Sequence, residues 1–127
     1  MSTNAAVASS FSDILMDLGN ISSQRVRSDP KPGSATVEDL LRINSQGSMC
    51  ELVDGALVEK VMGWRESLIA IALGRYISEF VLIRNLGLVT GPDGFIRILK
   101  SQVRGPDVAF VSWDRLPDGK VPQERVP

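Results

Sequence analysis

The chain has 127 residues, with 14 Lys and Arg against 15 Asp and Glu, a formal charge of −1, one cysteine and no histidine. That balance excludes a bulk positive field for nonspecific nucleic-acid binding, so any such contact has to be local. A lone Cys50 excludes an internal disulfide and a Cys/His zinc site, which leaves oxygen ligands for any metal chemistry. No stretch approaches the ~18 apolar residues of a membrane span, and no charged leader precedes an apolar run. No membrane partner and a cytoplasmic location are expected.

Residues 1–35 read as a disordered or linker segment holding one short amphipathic helix. Met1 to Ser10 are small and polar, without the apolar content to order themselves. Phe11, Ile14, Leu15 and Leu18 then recur at helical spacing, with Ser10 or Ser12 placed to cap and Gly19-Asn20 placed to stop the helix. Its two-turn apolar stripe fits docking on its own domain or on a partner. Pro30, Pro32 and Gly33 mark a linker.

The domain expected over residues 36–127 opens on Thr36, which with Asp39 forms a capping-box variant. A Glu38 to Arg42 pair lies one turn apart, and the helix runs to about Asn44. Asp54-Gly55, between Glu51-Leu52-Val53 and Ala56 to Val61, is a two-residue hairpin signal, because both central positions need positive φ. Trp64 to Asn85 is the longest periodic segment. Ile69, Leu73, Ile77 and Phe80 share a stripe with Ala72 and Tyr76, which predicts one broad buried face. Glu66 lies on that stripe and is expected to point inward, where it needs a cation or a donor. Complementing the helix dipole accounts for it as well. Gly74 in mid-helix predicts a close crossing by another element.

Leu88 to Gly91 and Phe95 to Leu99 are predicted strands that return antiparallel across the Pro92-Asp93-Gly94 turn, followed by a polar connection from Lys100 to Gly105. Asp107 to Val111 reads as a strand apolar on both faces except at its mouth, where Asp107 either holds a cation or faces solvent in a turn after Pro106. Trp113 to Gly119 is turn-rich, and Val121 to Pro127 have no periodicity.

Glu51-Leu-Val-Asp-Gly-Ala-Leu-Val-Glu59, then Gly63-Trp-Arg-Glu66 opening a helix, then Pro106-Asp-Val-Ala-Phe-Val111 and Leu116-Pro-Asp-Gly119, resemble the bacterial Uma-type restriction endonuclease family of the PD-(D/E)XK nuclease superfamily. The resemblance runs from about Thr36 to Pro127. It implies an α/β (α+β) fold: a partial restriction-endonuclease-like core with an N-terminal β-hairpin and a long helix packed on a small mixed sheet. By the same resemblance Glu66 matches the helix glutamate near the active site, and Asp107 the metal-binding aspartate of the Pro-Asp motif. Both are candidates for catalysis and for Mg²⁺ or Mn²⁺. Many members carry a histidine near Glu66, whose absence fits a glutamate subgroup. Arg97, Lys100 and Arg104 are candidates for contact with DNA phosphates.

The family continues with a strand bearing a further carboxylate and a helix bearing a lysine or its substitute, so the chain is expected to be C-terminally truncated. The implied activity is metal-dependent phosphodiester hydrolysis of DNA. This chain is expected to bind the metal weakly and to be inactive alone, since a ligand and a positive group are wanting. Alternatives are a noncatalytic interaction module, forming a homodimer through an exposed sheet edge, and a gene remnant derived from the same fold.

Overall fold

A computed structural model describes residues 10–61 and 63–123, which pack as two compact units, one through Glu59 and one from Lys60. The expected disorder of the first nine residues and the unpatterned end at 124–127 lie outside the described residues. Helices and antiparallel strand pairs make up both units, an α+β arrangement.

In the first unit, α1 (Phe11–Asp17) starts on a capping box in which the Ser10 hydroxyl accepts from the Asp13 N–H and the Asp13 carboxylate accepts from the Ser10 N–H. Its half-buried Ile14 and Leu18 line a cavity of about 410 Å³ with Pro32, Gly33 and Val53, so the helix docks within its own unit. The second helix, α2 (Val37–Ser45), carries the same device on Thr36 and Asp39. Arg42 pairs with Asp39 at 3.1 Å, where the spacing pointed to Glu38. Leu40 and Ile43 are buried from the inner face of α2.

The hairpin β1 (Cys50–Val53) and β2 (Ala56–Glu59) pairs Cys50 with Glu59 and Val53 with Ala56. Asp54 and Gly55 turn it at φ 48° and 80°, the double positive φ that a two-residue loop demands. The Asn44 side chain fastens α2 to β1: its Nδ2 donates to the Cys50 carbonyl at 3.0 Å and its Oδ1 accepts from the Cys50 N–H at 2.8 Å.

The segment expected as a linker is bound to this hairpin. Val26 bridges Val58, the Arg27 N–H donates to the Leu57 carbonyl at 2.9 Å, and the Gly33 and Ala35 N–H groups both reach the Gly55 carbonyl. The free edge of β2 and its turn offered acceptors, and a chain without helical periodicity supplied the donors.

In the second unit, α3 (Trp64–Arg84) ends on Asn85, whose φ of 48° is the left-handed cap. Trp113 Nε1 donates to Asn85 Oδ1 at 3.1 Å and holds that cap. The strands are β3 (Gly87–Thr90), β4 (Ile96–Leu99), β5 (Gln102–Arg104) and β6 (Ala109–Ser112). β3 pairs with β6, Gly87 opposite Ser112 and Thr90 opposite Ala109. Gly87 is required there, because a Cβ would collide with the Val111 carbonyl.

Several expectations fail in this unit. β4 does not return along β3; it pairs antiparallel with β5, a strand in the segment read as a polar connection. Lys100 and Ser101 join that pair directly, so its closure costs least. The predicted single mixed sheet over 88–91, 95–99 and 107–111 is therefore two antiparallel pairings in this unit. Asp107 precedes the strand it was expected to open, since β6 begins at Ala109.

The stripe of α3 is not a buried face. Ile69, Leu73 and Phe80 are 60%, 51% and 53% exposed, Ile77 is half-buried, and Val81 alone of the helix is buried. Length explains this. A 21-residue helix spans about 31 Å, whereas the four-residue β3 it packs against spans about 13 Å. The crossing predicted at Gly74 is present: the Val108 methyls lie 3.8 and 3.9 Å from where its Cβ would sit.

Candidate active site

Asp107 follows Pro106 in the bend that leads into β6, with its side chain 53% exposed. Beside it is a residue that sequence reasoning passed over. The Lys60 side chain is only 8% exposed, and its Nζ lies 3.6 Å from Asp107 Oδ1. The same ammonium donates to the Pro92 carbonyl at 3.2 Å and sits 5.7 Å from the centre of the Phe95 ring.

Local backbone chemistry builds this cluster. The turn closed by the Gly94 N–H on the Gly91 carbonyl presents the Pro92 carbonyl, an acceptor on a residue that has no N–H of its own. Gly105 lets the Phe95 ring lie against the chain just before Pro106, since a Cβ there would come within 2.7 Å of the ring. The ammonium is thus met by a carbonyl, a π face and a carboxylate, which offset its desolvation. A long charged side chain at the end of a hairpin strand reads as a solvated strand charge. The available signal was Asp107 itself, a carboxylate in want of a partner.

Glu66 is exposed in the first turn of α3, contrary to the inward orientation expected of it. Its carboxylate turns back onto Gly63, the residue that opens the helix, where a Cβ would collide with it. As the third helical residue it complements the positive end of the helix dipole. Each candidate carboxylate thus faces its own neighbour, Asp107 toward Lys60 and Glu66 toward Gly63.

The candidates for phosphate contact divide between two faces. Arg97 stands opposite Val103 and Arg104 opposite Ile96, and adjacent ladder positions alternate sides, so the two arginines project from opposite faces of the β4–β5 ribbon. Lys100 lies in the exposed turn between them.

Mg²⁺ asks for near-octahedral oxygen coordination. Among the described residues no group of three or more His, Cys, Asp or Glu side chains comes together, and Asp107 is already paired with an ammonium. This donor set does not fit a resident divalent ion. No described helix is long and apolar enough to cross a membrane.

No curated protein matches the chain. The Uma2 family, described as "Putative restriction endonuclease", matches residues 37–127, from the first residue of α2 through the hairpin, Glu66, Lys60 and Asp107. A match of that extent, over the segments whose geometry is given above, makes the chain a member of the Uma2 restriction endonuclease family.

Proposed function

We propose that the chain is a DNA-binding module of a PD-(D/E)XK-type nuclease, with Asp107 its principal site carboxylate and Glu66 an auxiliary one. Lys60 contributes the positive charge beside Asp107. The carrying observation is the Lys60–Asp107 pair, a nearly buried cation beside a half-exposed carboxylate at the Pro-Asp motif. Phosphodiester hydrolysis needs a group that accepts a proton from water and a positive group near the developing charge. Asp107 and Lys60 supply one of each. In the family reading Mg²⁺ or Mn²⁺ adds Lewis acidity, but the described donors do not form its site, and no step is assigned to it. DNA is held through the exposed Arg97 and Lys100 of β4 and its turn, with Arg104 on the other face of the β4–β5 ribbon.

On this reading the chain binds duplex DNA weakly and salt-sensitively and does not cut it. The test is plasmid cleavage with added Mg²⁺ or Mn²⁺ beside the Asp107→Ala variant, together with duplex binding by fluorescence anisotropy for the parent and for Arg97→Ala/Lys100→Ala. The expected results are no metal-stimulated cutting and binding weakened by loss of the two cations. Metal-dependent cutting abolished by Asp107→Ala would show a complete catalytic site, and absence of DNA binding would end the nucleic-acid reading.

A second reading, a noncatalytic interaction module, draws on α3 and β6. Trp64, Leu68, Ile71, Tyr76, Leu82 and Ile83 are all more than 60% exposed, a helix apolar on most sides without a covering layer among the described residues. β6 pairs with β3 along one edge, and no described strand pairs with the other, which is where a second copy would add. Light scattering that finds a dimer, and a monomer after Leu68→Ser/Ile71→Ser, supports this reading.

A further inference from the structure

We propose that Lys60 is the resident cation of the Asp107 site, so that a divalent ion binds there only in competition with its ammonium. This rests on the reading of Asp107 as the site carboxylate and deepens it by stating what controls metal entry. Three observations carry it.

The Lys60 side chain is more than nine-tenths buried, so its charge is poorly screened by water. It is also held independently of Asp107, through the Pro92 carbonyl at 3.2 Å and the Phe95 ring. The ammonium is therefore in place beside Asp107 before any metal arrives. Its separation from Asp107 Oδ1, 3.6 Å, is that of an ion pair rather than a short hydrogen bond, and Asp107 is half-exposed, so the carboxylate is open to another cation from the solvent side. A divalent ion on Asp107 meets a fixed positive charge a few ångströms away in a partly desolvated setting. Binding of the ion therefore has to drive the ammonium off the carboxylate, and the cost of that displacement holds the ion's affinity down.

A positioning role for Lys60 predicts the opposite. If Lys60 served to hold Asp107 in the orientation a metal needs, removing its charge would weaken binding. Competition predicts that removal tightens it. The sign of one measurement separates the two.

The experiment is Mn²⁺ binding, followed by the spin-resonance signal of free Mn²⁺, in the parent, Lys60→Met, Lys60→Arg and Lys60→Met/Asp107→Asn chains. Methionine keeps an unbranched apolar stem against Phe95 without the charge. Lys60→Met is expected to bind Mn²⁺ about tenfold tighter than the parent. Lys60→Arg should stay near the parent, and the gain should vanish when Asp107 is also replaced. Equal or weaker binding by a folded Lys60→Met chain overturns the proposal, as does absence of binding in both.

If Lys60→Met does not fold, acetylation of Lys60 in the parent, read by mass spectrometry, decides the matter. Saturating Mn²⁺ should raise labelling of Lys60 severalfold relative to Lys31, and should not do so in Asp107→Asn. Unchanged labelling overturns competition. Neither readout depends on DNA cleavage, so failure of the nuclease reading and failure of this inference remain distinguishable.

Discussion

The two units of this chain differ in how their apolar residues are used. Among the described residues, ten of the twelve buried apolar side chains, from Val26 to Val58, belong to the unit that ends at Glu59, and two, Val81 and Val103, to the unit that begins at Lys60. The large exposed apolar residues among those described divide the other way, with Phe11 and Met16 in the first unit and the rest, from Val61 to Val121, in the second. The first unit holds itself together by burial. The second carries the Lys60–Asp107 pair on a scaffold whose longest element, α3, has little to pack on among the described residues. Burial of a Leu or Ile side chain is worth about 1.5–3 kcal/mol, so a helix that leaves several exposed forgoes a large stabilisation unless a partner covers them.

The sharpest test of this contrast is a pair of truncations. Leu52→Ala, at a side chain 1% exposed, should cost about 2–5 kcal/mol, whereas Leu73→Ala, at 51% exposed, should stay within about 0.5 kcal/mol of the parent. Urea denaturation measures both, and each unit has its own reporter. Trp64 and Trp113 fluoresce from the second unit, while Cys50, fully buried, reports opening of the first through its reaction with a thiol reagent. Burial also raises the Cys50 pKa, which keeps the thiol protonated and slow to react until that unit opens. A Leu73→Ala loss as large as that of Leu52→Ala would mean that α3 is covered in solution, and the comparison would break.

Glycines sharpen the same contrast with opposite signs. Gly55 sits at φ 80° with its Cβ position 2.5 Å from the Gly33 carbonyl oxygen, so Gly55→Ala forces apart the turn and the strap that crosses it. It should cost more than ~1 kcal/mol. Gly74, helical and facing only the Val108 methyls at van der Waals distance, has room for a methyl group. Gly74→Ala should stabilise by about 0.5–1 kcal/mol, read as a rise in thermal midpoint. A destabilised Gly74→Ala would show that the segment before β6 lies closer to α3 than 3.8 Å.

The parts legible in the sequence were those set by a few adjacent residues. Asp54-Gly55 specifies its turn through the φ each residue tolerates, and Thr36 with Asp39 writes the start of α2, whereas at α1 the sequence left Ser10 and Ser12 as alternatives and the structure shows Ser10 closed by Asp13. The parts that escaped depend on pairings between distant residues. β5 has three residues with one apolar side chain, Val103, and three residues carry no period. Whether α3 buries its stripe depends on the size of the strand layer it meets, which periodicity does not encode. Of the candidate site, Asp107 was marked by its Pro-Asp setting. Lys60 was hidden because its partners Pro92, Phe95 and Asp107 are 32 to 47 positions away along the chain.

The smallest expected effect concerns the caps of the first unit and has a definite pH sign. The Asp39 pKa is lowered first by the Thr36 N–H, then by Arg42 and the Thr36 hydroxyl, and the Asp13 pKa by the hydroxyl and N–H of Ser10. A carboxylate with a lower pKa folded than unfolded contributes stability that is present above the unfolded value, about 3.9, and is lost as pH falls through the folded value. Both caps are solvent-exposed, so the contribution is modest and screened by salt. The urea midpoint followed by Cys50 reactivity should therefore decline as pH drops below about 4. In the Asp13→Asn/Asp39→Asn chain that decline should be shallower, because the asparagines still cap but no longer titrate. An identical acid limb in the two chains would place the pH-sensitive stability of the first unit outside its caps, and the two-cap account of its helix starts would lose its electrostatic part.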